Sequence, residues 1–538
     1  LRGRIISADG KVLVGNRPVY DVVFHVSEMR RPGPRQQTIN YVLEQSLRLA
    51  HVLDRKSPIT EKGLLEHLNY YPALPLVIYS DLRTTELAKV EEMLPPIPGM
   101  DIVTRTARTY AVPGAATHVL GFTARRLPPD KFKRRKYSYI NPELRGRNGL
   151  EKVYDGVLSG KGGAKLVRVD TLGYINNTIG EPNLPQPGKD LILSIDVEAQ
   201  RAADSLLQGY HGALVAMDVR NGGVVAMASS PTYNLAALSS TKYGELTTDH
   251  ARQPLMNRAV QAGYTPGSIV KPLVGLAALE AGVIDADDTV FCTGTYPLGS
   301  IGCWLRSGHG ELNIADAIMQ SCNSFFIDAG LQTGLEKLQP VFSAAGIGHR
   351  PGIDLPYAGS GLLPNRQFAR ENWDRGWIAI DTAYVSIGQG AVTLSPLQAA
   401  VFTAAIANGG RVFKPYLVKE IRTANGRPWS RTAPTVEHRL PVSQEHLALI
   451  QQGMSAAVNA RHGTARRARN RGISLAGKTG TAEVISGGTK HNDVWFVGYG
   501  PLDKPRYAVA LLIEKGESGG KTAAPLAARF FEQWLSAQ

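Results

Sequence analysis

Strand-like runs stand at both ends of the stretch from Leu191 to Ala537, and helical patterns fill its middle. Leu191–Ile195, His211–Asp218 and Gly223–Ser229 are apolar runs of strand length, the last two flanking an Asn221-Gly222-Gly223 turn. Leu475–Val484, Asp493–Tyr499 and Tyr507–Glu514 repeat the pattern, and a helix from about Ala523 to Ala537 closes it. Strands supplied from both ends of a stretch pair most simply in one sheet, with the inserted helices layered on it. The expected fold class is α+β, built on an antiparallel sheet.

The chain's 538 residues are too many for one ordinary core. A Pro/Gly linker, Asn183–Lys189, divides it into residues 1–185 and 186–538. The first part reads as an elongated, strand-rich module. Strands are expected at Arg4–Ile6, Lys11–Val14 and Val19–Phe24, with a hairpin turn at Asp9-Gly10. Helices follow at 37–55 and 60–69, then strands at Leu76–Tyr79, Asp101–Thr104, Thr117–Phe122 and Lys165–Asp170. Asp196 reads as a helix cap at the start of the second part.

Lys and Arg outnumber Asp and Glu by 60 to 46, a net charge of +14. The excess clusters at Arg125–Lys136 and at Arg461–Arg471, where Arg461, Arg466, Arg467, Arg469 and Arg471 crowd one loop. Phe132 is the single aromatic in these clusters, poor material for a nucleic-acid groove, and no zinc-finger, homeodomain or RNA-binding pattern occurs. Nucleic acid is therefore excluded as a partner. Solvated loops, or attraction to acidic headgroups or an acidic partner, remain open. No run approaches the ~18 apolar residues of a membrane span. The chain opens at Leu1, not Met, and is read as an excised or processed piece that leaves room for a signal or anchor upstream.

Three short motifs carry the chemistry. Ser268 and Lys271 form a Ser-x-x-Lys after the Pro266-Gly267 turn, ahead of apolar residues at helical spacing. Pro272 fits the first turn of that helix. A serine hydroxyl needs a base, and a lysine serves only where burial or nearby charge lowers its pKa. Taken singly, the pair could equally be a capping serine with a surface lysine. Ser321-Cys322-Asn323 falls between two helical patterns, Asn313–Gln320 and Ser324–Gly334. Lys478-Thr479-Gly480-Thr481 lies in the strand Leu475–Val484, read as exposed, where Gly480 would let another chain approach.

In order, these motifs resemble those of the serine β-lactamase and penicillin-binding protein superfamily. Arg2-Gly3-Arg4, Asn16-Arg17-Pro18, Ala115–Phe122, Gly149-Leu150-Glu151, Gly308-His309-Gly310 and Ser386–Gly390 are similar to blocks of its class B members. The Gly-His-Gly block is most like the elongation-type branch. The resemblance implies a pedestal or dimerisation-type module over residues 1–185 and a transpeptidase domain over 186–538. It implies a peptidoglycan D,D-transpeptidase, acylated by β-lactams, at the inner membrane with its catalytic domain in the periplasm. Its implied partners are peptidoglycan stem peptides, a SEDS-family glycan polymerase, a rod-shape scaffold protein and the membrane. By resemblance Ser268 is the nucleophile, Lys271 the base, and Ser321, Asn323 and Lys478 relay and orient. Thr479, Gly480 and Thr481 would line the substrate strand, with the Ser268 and Thr481 N–H groups as oxyanion hole. A D,D-carboxypeptidase, a β-lactamase or a β-lactam sensor are the alternatives. No match to the β-lactamase deacylation glutamate motif is found, and Cys322 stands where those enzymes usually carry Asp.

The three cysteines, Cys292, Cys303 and Cys322, lie with His309 in one short Gly-rich stretch. Three thiolates and an imidazole make a complete structural zinc set, with no position left for catalysis. A Cys292–Cys303 disulfide or inert buried thiols are the other readings. The resemblance adds that some elongation-type relatives hold zinc here, with carboxylates at some of the positions.

Overall fold

The computed structural model describes all residues except 72–73, 113, 126–143, 170–174, 471, 487 and 536–538. A five-stranded antiparallel sheet forms the heart of the second part. Across it the strands run Val224–Ser230, Gly212–Asp218, Tyr507–Ile513, Thr489–Gly500 and Ala476–Ser486. The chain ends meet in it as expected: Gly212–Asp218 pairs directly with Tyr507–Ile513. Both faces are covered, so the central strands are buried along their whole length rather than alternating. One face carries the closing helix Ala524–Leu535, with Phe530, Phe531 and Trp534 in the core. The other carries Pro396–Ala407, capped by Ser395, and beyond it the helix Lys271–Glu280. Each fully buried Phe contributes roughly 1.5–3 kcal/mol, so these layers hold the sheet rigid beneath the site.

The module's main strand, Val12–Phe24, runs unbroken where two short strands were expected. Its partner Met100–Tyr110 is longer than the expected Asp101–Thr104 and pairs with it from Val14 to Phe24. The helices Arg35–Leu53 and Glu61–Tyr70 and the strand Leu76–Tyr79 agree with the sequence. Thr117–Phe122 does not. It forms a helical turn, Thr117–Leu120, launched by Ala116 at φ 50° and tied by the Thr117 hydroxyl to the Tyr233 carbonyl at 3.0 Å. Burial of Val119 and Leu120 against the second part overrides their strand propensity. Most of the basic cluster Arg125–Lys136, and Arg471 of the other, lie outside the described residues.

The two parts share a sheet. Directly after the linker, Asp190–Leu193 pairs parallel with Ile5–Ile6 and antiparallel with Val418–Arg422. Asp190 also accepts from the Arg4 backbone and guanidinium at 2.6 Å each. Asp196 then caps Val197–Leu206 through Ala199 N–H at 2.8 Å, worth about 1 kcal/mol. Among the described residues no helix is long and apolar enough to cross a membrane.

Candidate active site

Ser268 sits in a tight turn, Gly267–Val270, that runs into the helix Lys271–Glu280 with Pro272 in its first turn. Two close approaches fix that turn. Gly267, at φ 56°, packs so near the Thr481 carbonyl that a Cβ would lie 2.8 Å from it. Gly388, at φ 72°, leaves a gap of 2.0 Å between a hypothetical Cβ and the Gly267 carbonyl, and accepts from the Gly267 N–H at 2.9 Å. Gly480 meets the Pro266 carbonyl in the same way at 2.8 Å, the close approach that its sequence suggested.

Ser321 ends the helix Ile314–Gln320 in the left-handed region, at φ 56°, which turns its hydroxyl towards the lysines. Lys478 Nζ donates to Ser321 Oγ at 2.7 Å. Lys271 Nζ lies 3.4 Å from the same oxygen, and donates to the Ser321 carbonyl at 2.8 Å and Asn323 Oδ1 at 2.7 Å. Asn323 is held in turn by Nδ2–H to the Gly302 carbonyl at 2.8 Å. The three motifs, distant in sequence, thus meet around one hydroxyl. Lys478 is fully buried on the sheet's edge strand, not exposed as the sequence suggested, because the Ser321 turn covers it.

Burial disfavours charge on both amines. It pushes Lys271 down to about 8, although the neighbouring thiols pull the other way. Lys478 falls well below its usual value, by burial first and then by repulsion from Lys271. A neutral amine is a base and an ammonium is not, so the neutral fraction of Lys271 grows as pH rises through about 8. Acylation of Ser268 is therefore expected to fall about tenfold per pH unit below that value, measured as adduct formation with a penicillin between pH 5 and 9. A flat profile would remove Lys271 as the titrating base.

Sequence reasoning missed a brace behind Ser268. Tyr264 hydroxyl and Arg258 Nε both donate to Glu514 Oε1, at 2.8 and 2.7 Å. Trp495 Nε1–H donates to the Thr265 carbonyl at 3.0 Å. Gly388 belonged to a block that resemblance singled out without a role. Glu514 gave no signal, being a lone carboxylate at a strand's end.

The cysteines and His309 converge beside the Ser321 turn, their ligand atoms all within 4.8 Å of one another. His309 Nδ1 lies 3.5 Å from both Cys292 Sγ and Cys303 Sγ. All three cysteines are buried and none is paired in a disulfide. Cys322 donates to Cys303, which holds the Cys303 thiol well below its usual range. Asn323 N–H also donates to Cys303 Sγ at 3.3 Å, a direct link from cluster to catalytic loop.

The chain's likeness to known proteins matches this geometry. A profile of the penicillin-binding protein transpeptidase domain matches residues 212–532, and one of the penicillin-binding protein dimerisation domain matches residues 1–193. The chain belongs to the penicillin-binding protein transpeptidases. As a member it is a serine-type D,D-transpeptidase with an N-terminal dimerisation module. The peptidoglycan D,D-transpeptidase MrdA of Acinetobacter baumannii is 32% identical over 99% of this chain and 80% of its own length. That of Escherichia coli K12 is 29% identical over 96% of this chain and 84% of its own. Among solved structures, the Helicobacter pylori penicillin-binding protein PBP2 in complex with MreC aligns with a TM-score of 0.81 at 28% identity, covering all of this chain and 97% of that one. Pseudomonas aeruginosa PBP2 in complex with WCK 5153 gives 0.71 at 27%, covering 99% and 95%.

Proposed function

We propose that this transpeptidase crosslinks the stem peptides of peptidoglycan during wall elongation, with Ser268 as nucleophile. The observation that carries the reading is the Ser321 hydroxyl held between the two lysine amines, of which Lys271 lies one turn along the chain from Ser268. Lys271, in the neutral form that burial favours, takes the Ser268 proton as Oγ attacks the carbonyl between the two terminal D-alanines. The oxyanion forms against the N–H groups of Ser268 and Thr481. The proton passes through Ser321 and Lys478 to the departing D-alanine amine, and the acyl group stays on Ser268. An amine from a neighbouring stem attacks that ester, gives up its proton along the same path reversed, and frees Ser268. Asn323 orients Lys271. Thr479 and Thr481 hold the terminal carboxylate, and its charge draws a proton onto Lys478.

The test is D-alanine release from a pentapeptide donor with and without an acceptor amine. A crosslinked product supports the reading; release with water as the sole acceptor would mark a carboxypeptidase. Lys478→Ala is expected to slow acylation by carboxylate-bearing ligands ten- to a hundred-fold, about 1.5–3 kcal/mol, measured as a second-order acylation rate. An unchanged rate would take Lys478 out of the site.

The cysteine cluster is proposed to hold one structural zinc. Tetrahedral bonds of about 2.3 Å to sulfur and 2.0–2.1 Å to nitrogen place ligand atoms roughly 3.5 Å apart. The His309–cysteine spacings of 3.5 Å fit. Four protein ligands leave no open position, so the ion would stiffen the loop and do no chemistry. Residues 1–185 are proposed as the partner-binding module, facing a scaffold of the MreC kind and a SEDS-family glycan polymerase. The solved PBP2–MreC complex supports this reading. Residues 186–538 form the catalytic part, placed on the periplasmic side of the inner membrane where the substrate lies.

A further inference from the structure

The basic loop that the sequence singled out has a place beside the site. Its described arginines, Arg461, Arg466, Arg467 and Arg469, are all exposed. Among the described residues none of the four pairs with a carboxylate; Arg466 donates only to the Arg461 carbonyl, at 3.0 Å. Unpaired like charges repel one another, so a loop that gathers four without a counter-charge is held against a local cost. Nearby Lys521, by contrast, is paired with Glu517.

The loop is tied to both sides of the motifs through Thr464, while Ala465 and Ala468 pack into the core under the closing helix Ala524–Leu535. Thr464 donates through N–H and hydroxyl to the Met319 carbonyl, at 3.1 Å each, just ahead of Ser321. Its own carbonyl abuts Gly520, where a Cβ would lie 2.8 Å away. Neighbouring Gly519 donates to Thr481 Oγ1 at 3.1 Å and packs on the Gly480 carbonyl. Whatever the loop binds therefore lies next to the elements that carry Ser321 and Thr481.

We infer that this arginine loop is an extended substrate subsite, taking side-chain carboxylates of the peptide that enters the cleft. The inference rests on the transpeptidase reading above. Guanidinium groups pair with carboxylates in a two-pronged geometry, and a cluster of them draws an anionic chain towards the cleft before it reacts. The loop thereby gives the enzyme a preference for stems with free acids over stems with amidated ones. A patch serving a bilayer would have no reason to be pinned to Met319 and Gly520.

The test uses the triple variant Arg461→Gln, Arg466→Gln and Arg467→Gln, and its all-Lys counterpart. The probe is a D-Ala-D-Ala pentapeptide with free side-chain carboxylates, and the same peptide with them amidated. Each competes with a labelled penicillin for Ser268. The Gln variant is expected to need about tenfold more of the free-acid peptide for half-protection, with the amidated peptide unchanged. The Lys variant should recover most of the loss, and added salt should abolish the wild-type preference. Penicillin labelling and thermal midpoint should be unchanged, which separates this idea from the function itself: a wild-type chain that labels nowhere would sink both. Equal loss for both peptides, or no loss for either, overturns the subsite. Loss confined to binding of phosphatidylglycerol vesicles, with peptide protection intact, overturns it in favour of a membrane contact.

Discussion

Ser268→Ala is expected to abolish covalent labelling by β-lactams while leaving the protein folded. In the proposed mechanism this hydroxyl is the nucleophile and the buried Lys271 its base, and removing it costs no core contact because Ser268 is only partly buried. Ser239 and Ser518 also precede a lysine by three residues, but each simply caps its turn by accepting from the Lys242 or Lys521 N–H. Both of those lysines are exposed and paired with glutamates, not buried as Lys271 is. Intact-mass spectrometry of the variant should show no adduct, with an unchanged melting curve. An adduct mapped to Ser239 or Ser518 would overturn the assignment.

Removing the proposed zinc is expected to have the second large effect. Structural zinc contributes on the order of 10 kcal/mol to small folded units that depend on it, and the loop from Cys292 to Leu312 has only short two-stranded ladders of its own. Chelation should release about one zinc per chain, expose three titratable thiols and lower the melting temperature. Cys303→Ser should weaken the site and slow acylation together, because Asn323 N–H rests on that sulfur and Asn323 holds Lys271. The thiols bind as thiolates, so zinc should be lost more readily as pH falls. Metal-free protein with a single free thiol would mark a disulfide instead.

Much of this site was legible because its chemistry is local. Pro266-Gly267 announces the turn that presents Ser268, and the apolar spacing after it announces the helix that carries Lys271. The four-residue strand Leu76–Tyr79 and the Asp196 cap were equally plain, since short-range patterns decide them. What stayed hidden depends on distant partners. Nothing in Thr117–Phe122 shows that the Tyr233 carbonyl waits for Thr117, so its β-branched residues read as a strand. Lys478 lies on an edge strand, and its burial comes from a turn far away in sequence. The role of Gly388 is likewise invisible until Gly267 is seen against it.

The shared sheet carries a mechanical consequence. Asp190–Leu193 is hydrogen-bonded on one side to the first residues of the chain and on the other to Val418–Arg422. It is less a hinge than a splice. A tug or twist applied by a partner at the strand Val12–Phe24 passes along that ladder into Val418–Arg422, with no slack segment to absorb it. On the proposed reading of residues 1–185 as the partner-binding module, the catalytic domain is steered as a tool is steered by its handle, and what grips the other end sets where it reaches.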